Sequence, residues 1–188
     1  DLGIPFLSIN SYTIIILNTH DGTSKTMMTQ PVAEATHSVG GLFVLDCIAS
    51  GAIWVDMEAC AVDVLISAPQ KGWSSSPCSG LVMLSALARE RIEATTSTSF
   101  ACDLLKWLQM MEAYENGGHA YHATMPTDAL KGFRDVMKET EAYGFDKVRA
   151  KQQELGNRVR NLLVSKGFES VAAEGFQAPG VVVNYTDD

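Results

Sequence analysis

The sequence has no pair of cysteines at CxxC spacing, no long apolar run and little positive charge. Its four cysteines, Cys47, Cys60, Cys78 and Cys102, stand apart, each beside apolar or small residues. A structural zinc site or a disulfide framework needs closer clustering. Free buried thiols in a reducing compartment such as the cytoplasm are therefore the expectation, with no metal site. The longest apolar stretches, around Ile14–Leu17 and Gly41–Leu45, fall far short of the ~18 residues that a spanning helix requires. No charged segment precedes an apolar core at the start, so no signal peptide is read. The 14 Lys and Arg are outnumbered by 22 Asp and Glu, giving a net charge of −8. Counterion release from a phosphate backbone needs clustered Lys and Arg, so nucleic acid is not an expected partner. Only 19% of the 188 residues are charged against 46% apolar, which excludes intrinsic disorder. A chain this long buries roughly two-thirds of its unfolded surface and can hold a core without metals or disulfides.

The apolar pattern then gives the organisation. Tyr12–Leu17 is a β-branched run that ends at the polar segment Asn18-Thr19-His20-Asp21-Gly22-Thr23-Ser24, and it reads as a strand. A short helix is expected from Pro31 to Val39, with proline at its first position and Gly40-Gly41 as the stop. Leu42-Phe43-Val44-Leu45 is apolar at every position and closes on Asp46. Continuous apolarity marks a strand covered on both faces, which implies a parallel sheet between helices. Val62–Ile66 and Leu81–Leu84 are further strands, the former running into Ser67-Ala68-Pro69-Gln70-Lys71. Beyond Ser85 the period turns helical: Leu104, Leu105, Trp107, Leu108, Met111 and Tyr114 recur at three- and four-residue steps. A helix capped by Thr127 runs to Gly144, and a second carries Val148, Leu155, Val159, Leu162 and Leu163 on one face. Ser170–Ala173 and Val181–Tyr185 read as two strands about an Ala178-Pro179-Gly180 turn. Strands followed by helices in this order make an α/β layered domain. Charge gathers between Lys131 and Glu174, as suits an exposed linking helix that leads into a smaller domain. The chain lacks an initiating Met and closes on Tyr185-Thr186-Asp187-Asp188 directly after an apolar run, so it reads as a piece of a longer protein.

Ligands of an open parallel sheet bind outside the carboxyl ends of its strands. Three such ends carry polar groups: Thr19–Ser24, Asp46 and Gln70-Lys71. A carboxylate at the end of a fully apolar strand is costly to desolvate without a positive partner. With a lysine 25 residues later, the pair suits a cofactor that needs both a counter-charge for a pyridinium nitrogen and an amine nucleophile. Pyridoxal phosphate is such a cofactor, since its carbonyl condenses with a lysine. The same residues also suit a helix-capping Asp and a solvated Lys after a proline.

Leu45-Asp46-Cys47-Ile48-Ala49-Ser50, Ser67-Ala68-Pro69-Gln70-Lys71-Gly72 and Ala120-Tyr121-His122-Ala123-Thr124-Met125-Pro126 stand in the order and spacing of one family. They resemble the class V aminotransferases, within them the alanine–glyoxylate and serine–pyruvate branch, from about Asn18 onward. The resemblance implies a fold of the aspartate-aminotransferase type (fold type I), an α/β large domain with a three-layer, mainly parallel sheet. Residues 1–145 would belong to that cofactor-binding domain, and 146–188 to a linking helix and the first strands of a smaller α+β domain. It implies pyridoxal 5'-phosphate as cofactor, Lys71 as its Schiff-base lysine and proton-transfer base, and Asp46 as the partner of its ring nitrogen. Ile48 would pack under the ring and Gln70 would contact phosphate or ring oxygen. Tyr121 and Thr124 would reach the phosphate of a neighbouring subunit, which implies a homodimer with shared sites. Thr23 would be a further contact, with Ser24 as the alternate, although Gly22 stands where the family has Glu. His20 reads as a turn or core residue, and Asp1–Ser11 matches nothing in the family.

The family's glycine-containing phosphate loop and its ring-stacking aromatic would lie upstream of these motifs, and the arginine for the substrate carboxylate downstream. The implied reaction is transfer of an amino group from alanine or serine to a 2-oxo acid such as glyoxylate or pyruvate. Two alternatives stand beside it. One is a lyase or desulfurase of the same superfamily, for which Cys78 is the only candidate thiol, though it follows Lys71 closely. The other is a catalytically incomplete chain that serves as a binding or structural piece.

Overall fold

The run Leu42–Asp46 forms the middle strand of a five-stranded sheet in the computed structural model, which describes residues 6–9, 12–18, 25–50 and 53–186. The strands are β1 (Phe6–Ile9), β2 (Tyr12–Asn18), β3 (Leu42–Asp46), β4 (Val64–Ser67) and β5 (Leu81–Leu84), side by side in chain order. The helices are α1 (Lys25–Ser38), α2 (Ala86–Glu93), α3 (Leu104–Glu115), α4 (Thr127–Tyr143) and α5 (Phe145–Ser165). The α/β class follows as read. The sheet is mixed, however: β2–β3 and β3–β4 pair parallel, whereas β1–β2 and β4–β5 pair antiparallel. A parallel partner for β4 would require a long crossover, and residues 68–80 contain no helix to make one.

Phe43 and Leu45 are fully buried, and Val44 on the opposite face is nearly so, which accounts for the unbroken apolar run. Ala33 of α1, Val62, Leu65, Cys47 and Cys60 complete this core. Cys78 is half-buried and Cys102 exposed, so the expectation of buried thiols holds for two of the four. Register is set residue by residue: Asn18 pairs with Asp46, and Asp46 with Ile66, so the carboxyl ends of the three parallel strands lie level.

The opposite, amino-terminal edge is pinned by Asp63, a buried carboxylate one residue before β4. Its Oδ2 accepts from the Phe43 amide at 2.8 Å and pairs with His37 Nε2 at 2.7 Å, while Oδ1 accepts from Ser85 Oγ at 3.0 Å. Ser85 in turn caps α2, its Oγ accepting from the Ala88 amide at 3.1 Å. One carboxylate thus ties the end of α1, the start of β3 and the start of α2 together.

Several local expectations are corrected. α1 begins at Lys25 and contains Pro31, because Lys25–Gln30 joins the helix with only the adjacent Met27 and Met28 apolar and no helical period to signal it. Thr127 is the first residue of α4 and not its cap; Pro126 holds the cap position and makes no side-chain bond there. Gly144 separates α4 from α5 at φ +102°, a conformation that side chains with a Cβ rarely adopt. The buried face of α5 is Gly156 and Arg160; Leu155 and Leu162 of the expected apolar face are 54% and 58% exposed. That buried face rests on the turn at Ala178-Pro179. Arg160 Nη2 donates to the Ala178 carbonyl and Gln152 Nε2 to that of Pro179, each at 2.9 Å. The two terminal strands reduce to a single antiparallel bridge between Ser170 and Asn184. Among the described residues, no helix is long and apolar enough to cross a membrane.

Candidate cofactor site

β3 delivers Asp46 to the carboxyl edge of the sheet, and the chain turns at once. Cys47 N donates to the Ile66 carbonyl at 2.8 Å, and Ser50 closes the turn by donating from both its amide (3.2 Å) and its hydroxyl (2.9 Å) to the Cys47 carbonyl. Within this turn Asp46 Oδ1 accepts from the Ile48 amide at 2.9 Å. That bond fixes the carboxylate at the strand end and half-buries both residues. A small residue is needed at Ser50, which is buried beneath the turn.

β4 runs parallel beside it and reaches the same edge at Ser67. Ala68 and Pro69 are buried, and the chain then emerges as a tight turn that carries Gln70 and Lys71 into the open. Ser74 N donates to the Lys71 carbonyl and Ser75 N to that of Pro69, both at 3.0 Å. Lys71 therefore sits on a short, internally bonded loop whose base is anchored in the core. Its ammonium group makes no salt bridge to another described residue.

A cluster of aromatic rings flanks the turn. Trp73 lies 4.8 Å from Trp54, 5.6 Å from Phe133 and 6.4 Å from Phe145, centroid to centroid. Trp54 meets Phe145 edge-on at 5.1 Å and donates its indole N–H to the Phe145 carbonyl at 3.1 Å. Such pairs each contribute about 0.5–1.5 kcal/mol beyond their area burial. No local pattern in the sequence announces these rings, which fall singly in four separate segments.

Tyr121 and Thr124 lie on the connection between α3 and α4, and their hydroxyls bond each other at 2.8 Å. Tyr121 is 77% exposed. The loop is held from behind by His122, whose Nε2 bonds the Phe100 carbonyl at 2.9 Å and whose ring packs against Phe100 and Trp107. His122 has no role that its motif alone reveals; here it holds the loop that carries the two hydroxyls. Of the anticipated set, Asp46, Ile48, Gln70 and Lys71 thus share one sheet edge, and Tyr121 and Thr124 form an exposed pair on another loop. Thr23, Ser24 and His20 lie outside the described residues. Among the described residues, no group of three or more His, Cys, Asp or Glu side chains gathers as a metal ion would require.

The acidic surface supplies the clear electrostatic shifts, both away from this edge. Arg134 lowers the Asp135 carboxyl by hydrogen bonding to it, and Glu112 and Glu93 raise the Arg89 guanidinium the same way.

No protein-family model matches the chain. Over 131 residues, 65% of this chain and 31% of the relative, it is 29% identical to alanine–glyoxylate aminotransferase of Felis catus. Among solved structures, pyridoxamine–pyruvate aminotransferase from Mesorhizobium loti superposes with a TM-score of 0.79 at 17% identity, covering 93% of this chain and 45% of that one. Alanine–glyoxylate aminotransferase from Nostoc sp. gives 0.76 at 18%, covering 93% and 46%. A cysteine desulfurase from Thermococcus onnurineus shares the fold at 0.63 and 13%, covering 92% and 44%. The chain spans less than half the length of each. By likeness of backbone the chain has the α/β fold of these solved aminotransferases, fold type I.

Proposed function

We propose that this chain forms the lysine-bearing part of a pyridoxal-phosphate aminotransferase that moves an amino group from alanine or serine to glyoxylate or pyruvate. The observation that carries the proposal is the level register of β3 and β4, which brings Asp46 and the Lys71 turn to one edge of the sheet. The donor set fits the cofactor: a carboxylate held in place by the Ile48 amide for a ring nitrogen, and an exposed amine that makes no salt bridge among the described residues for a carbonyl. When bound, the cofactor supplies an electron sink for charge that develops at the substrate α-carbon.

The residues of this chain do the rest. Asp46 keeps a proton on the ring nitrogen by presenting a fixed negative charge, its orientation set by the strand end and the Ile48 amide. Lys71 would hold the cofactor through its Nζ, and its amine, when free, would take a proton from the substrate α-carbon as a general base on a short tether. Ile48 offers an apolar surface beside the ring and Gln70 an amide to its oxygens. The exposed Tyr121 and Thr124 hydroxyls suit phosphate oxygens of a second subunit, so the active unit in this reading is a homodimer. The boundary between the cofactor-binding and smaller domains falls at 145/146 in this reading, supported by the glycine-separated junction of α4 and α5. The desulfurase reading draws on the shared fold and on Cys78. That thiol is half-buried, 3.7 Å from the Ser79 hydroxyl and only seven residues beyond Lys71, which favours the aminotransferase.

Borohydride reduction of the cofactor-loaded protein, followed by peptide mapping, tests the reading. The pyridoxyl group is expected on Lys71. An adduct on another lysine, with Lys71→Ala still binding covalently, would overturn it.

A further inference from the structure

Two tryptophans stand where the proposed chemistry needs rigidity. Trp54 lies on the segment that follows the Asp46 turn, and Trp73 is two residues beyond Lys71. Their rings pack together at 4.8 Å, and both contact Phe145, the first residue of α5. Phe133, buried on α4, closes the cluster against Trp73. The Trp54 indole also donates to the Phe145 carbonyl, so the contact is directional and not only apolar. Four separate segments therefore meet at one point: the loop after Asp46, the Lys71 turn, α4 and the start of α5.

Among the described residues, the rest of the Lys71 turn has few restraints of its own. Gln70 and Lys71 are exposed, and beyond Pro69 the loop is closed by two backbone hydrogen bonds. We infer that Trp73 is a positioning residue. Wedged between Trp54, Phe133 and Phe145, it fixes the Lys71 turn relative to Asp46 and couples that turn to the α4–α5 junction. The inference rests on the reading of Lys71 as the cofactor lysine, but its physical core, the bracing of the turn, is measurable without cofactor. A ring lost from the cluster frees the turn to open locally, which amide exchange reports directly.

The experiment compares the wild-type protein with Trp73→Leu, Trp73→Phe and Phe145→Leu. Amide exchange at Ser74 and Ser75 is expected to rise at least about tenfold in Trp73→Leu, while the Phe43 and Ala88 amides at the far edge keep their rates. Phe145→Leu is expected to act in the same direction from a distant part of the chain, and Trp73→Phe to stay near wild type because it keeps a ring. In the cofactor-loaded protein, the pH midpoint of the visible absorption band is expected to shift in Trp73→Leu and to return in Trp73→Phe. Unchanged exchange at Ser74 and Ser75 overturns the bracing. Faster exchange with an unmoved midpoint makes Trp73 merely structural and overturns the positioning role. Should Trp73→Leu fail to fold, Phe145→Leu decides by the same two readouts. Borohydride mapping to another lysine would remove the Lys71 reading while the exchange data still stand or fall by themselves.

Discussion

Replacing Asp63 by alanine should cost more stability than any other single carboxylate change in this chain. The carboxylate is buried and holds three donors: the Phe43 amide at 2.8 Å, Ser85 Oγ at 3.0 Å and His37 Nε2 at 2.7 Å. Their fates differ. The Phe43 amide belongs to a fully buried residue and would be left without its side-chain acceptor, which costs about 1–3 kcal/mol. Ser85 keeps its role as acceptor for the Ala88 amide and loses one neutral-to-charged bond. The His37 side chain is 36% exposed and can turn to water, so its pairing counts for about 1 kcal/mol at most. Together with the serine bond, the total is about 3–5 kcal/mol, the range for removing one partner from a buried charged pair. Asparagine is nearly isosteric: its oxygen, in the place of Oδ2, can still accept from Phe43 and His37, and its amide, in the place of Oδ1, can donate to the serine oxygen. Asp63→Asn should therefore cost only about 1 kcal/mol. Urea titration followed by tryptophan fluorescence measures both, read as a shift of midpoint at constant slope. If alanine and asparagine destabilise equally, the hydrogen-bond accounting is wrong and charge alone matters. If alanine costs under about 1 kcal/mol, Asp63 does not hold this edge together.

Three further outcomes are expected. Asp46→Asn should keep the fold, because an amide oxygen can still accept from Ile48, while turnover of the complete enzyme falls at least about a hundredfold; near-normal turnover would make Asp46 a simple turn former. Gly156→Ala should destabilise by about 1–3 kcal/mol in thermal melts, since a Cβ there would run into the Pro179 carbonyl, whereas Gly132→Ala, with open space around it, should not. Mixing two inactive proteins, Lys71→Ala and the double variant Tyr121→Phe, Thr124→Ala, should restore part of the activity through subunit exchange; mixed dimers without activity would refute a site shared between subunits.

How far the sequence could be read depends on the kind of signal each element sends. β3 was legible because burial on both faces demands an unbroken apolar run, and α3 because its apolar residues keep the helical period from Leu104 to Tyr114. The roles proposed for Asp46 and Lys71 come from a resemblance of motifs and not from physics, since neither a strand-end Asp nor a Lys after a proline is distinctive. The start of α1 was not legible: Lys25–Gln30 carries no apolar stripe, and Pro31 is an ordinary start signal. The direction of β5 was hidden as well, because apolar content tells that a strand is buried but not which way it runs. Asp63 and the Trp54–Trp73–Phe133–Phe145 cluster depend on partners dozens of residues apart, and no local pattern announces such meetings.

The pairing of β3 with β4 has a consequence for how this chain can change over time. Asp46 owes its height at the edge to being level with Ile66, so the sheet acts as a ruler for everything mounted on its rim. One residue gained or lost within 43–45 would turn Asp46 to the other face and erase the site at a stroke. The same change at the exposed Glu58-Ala59, where the chain forms no strand, leaves the ruler untouched and alters only a surface turn. Descendants of this sequence are thus freer to vary in length at that turn, but the strands themselves must count their residues faithfully.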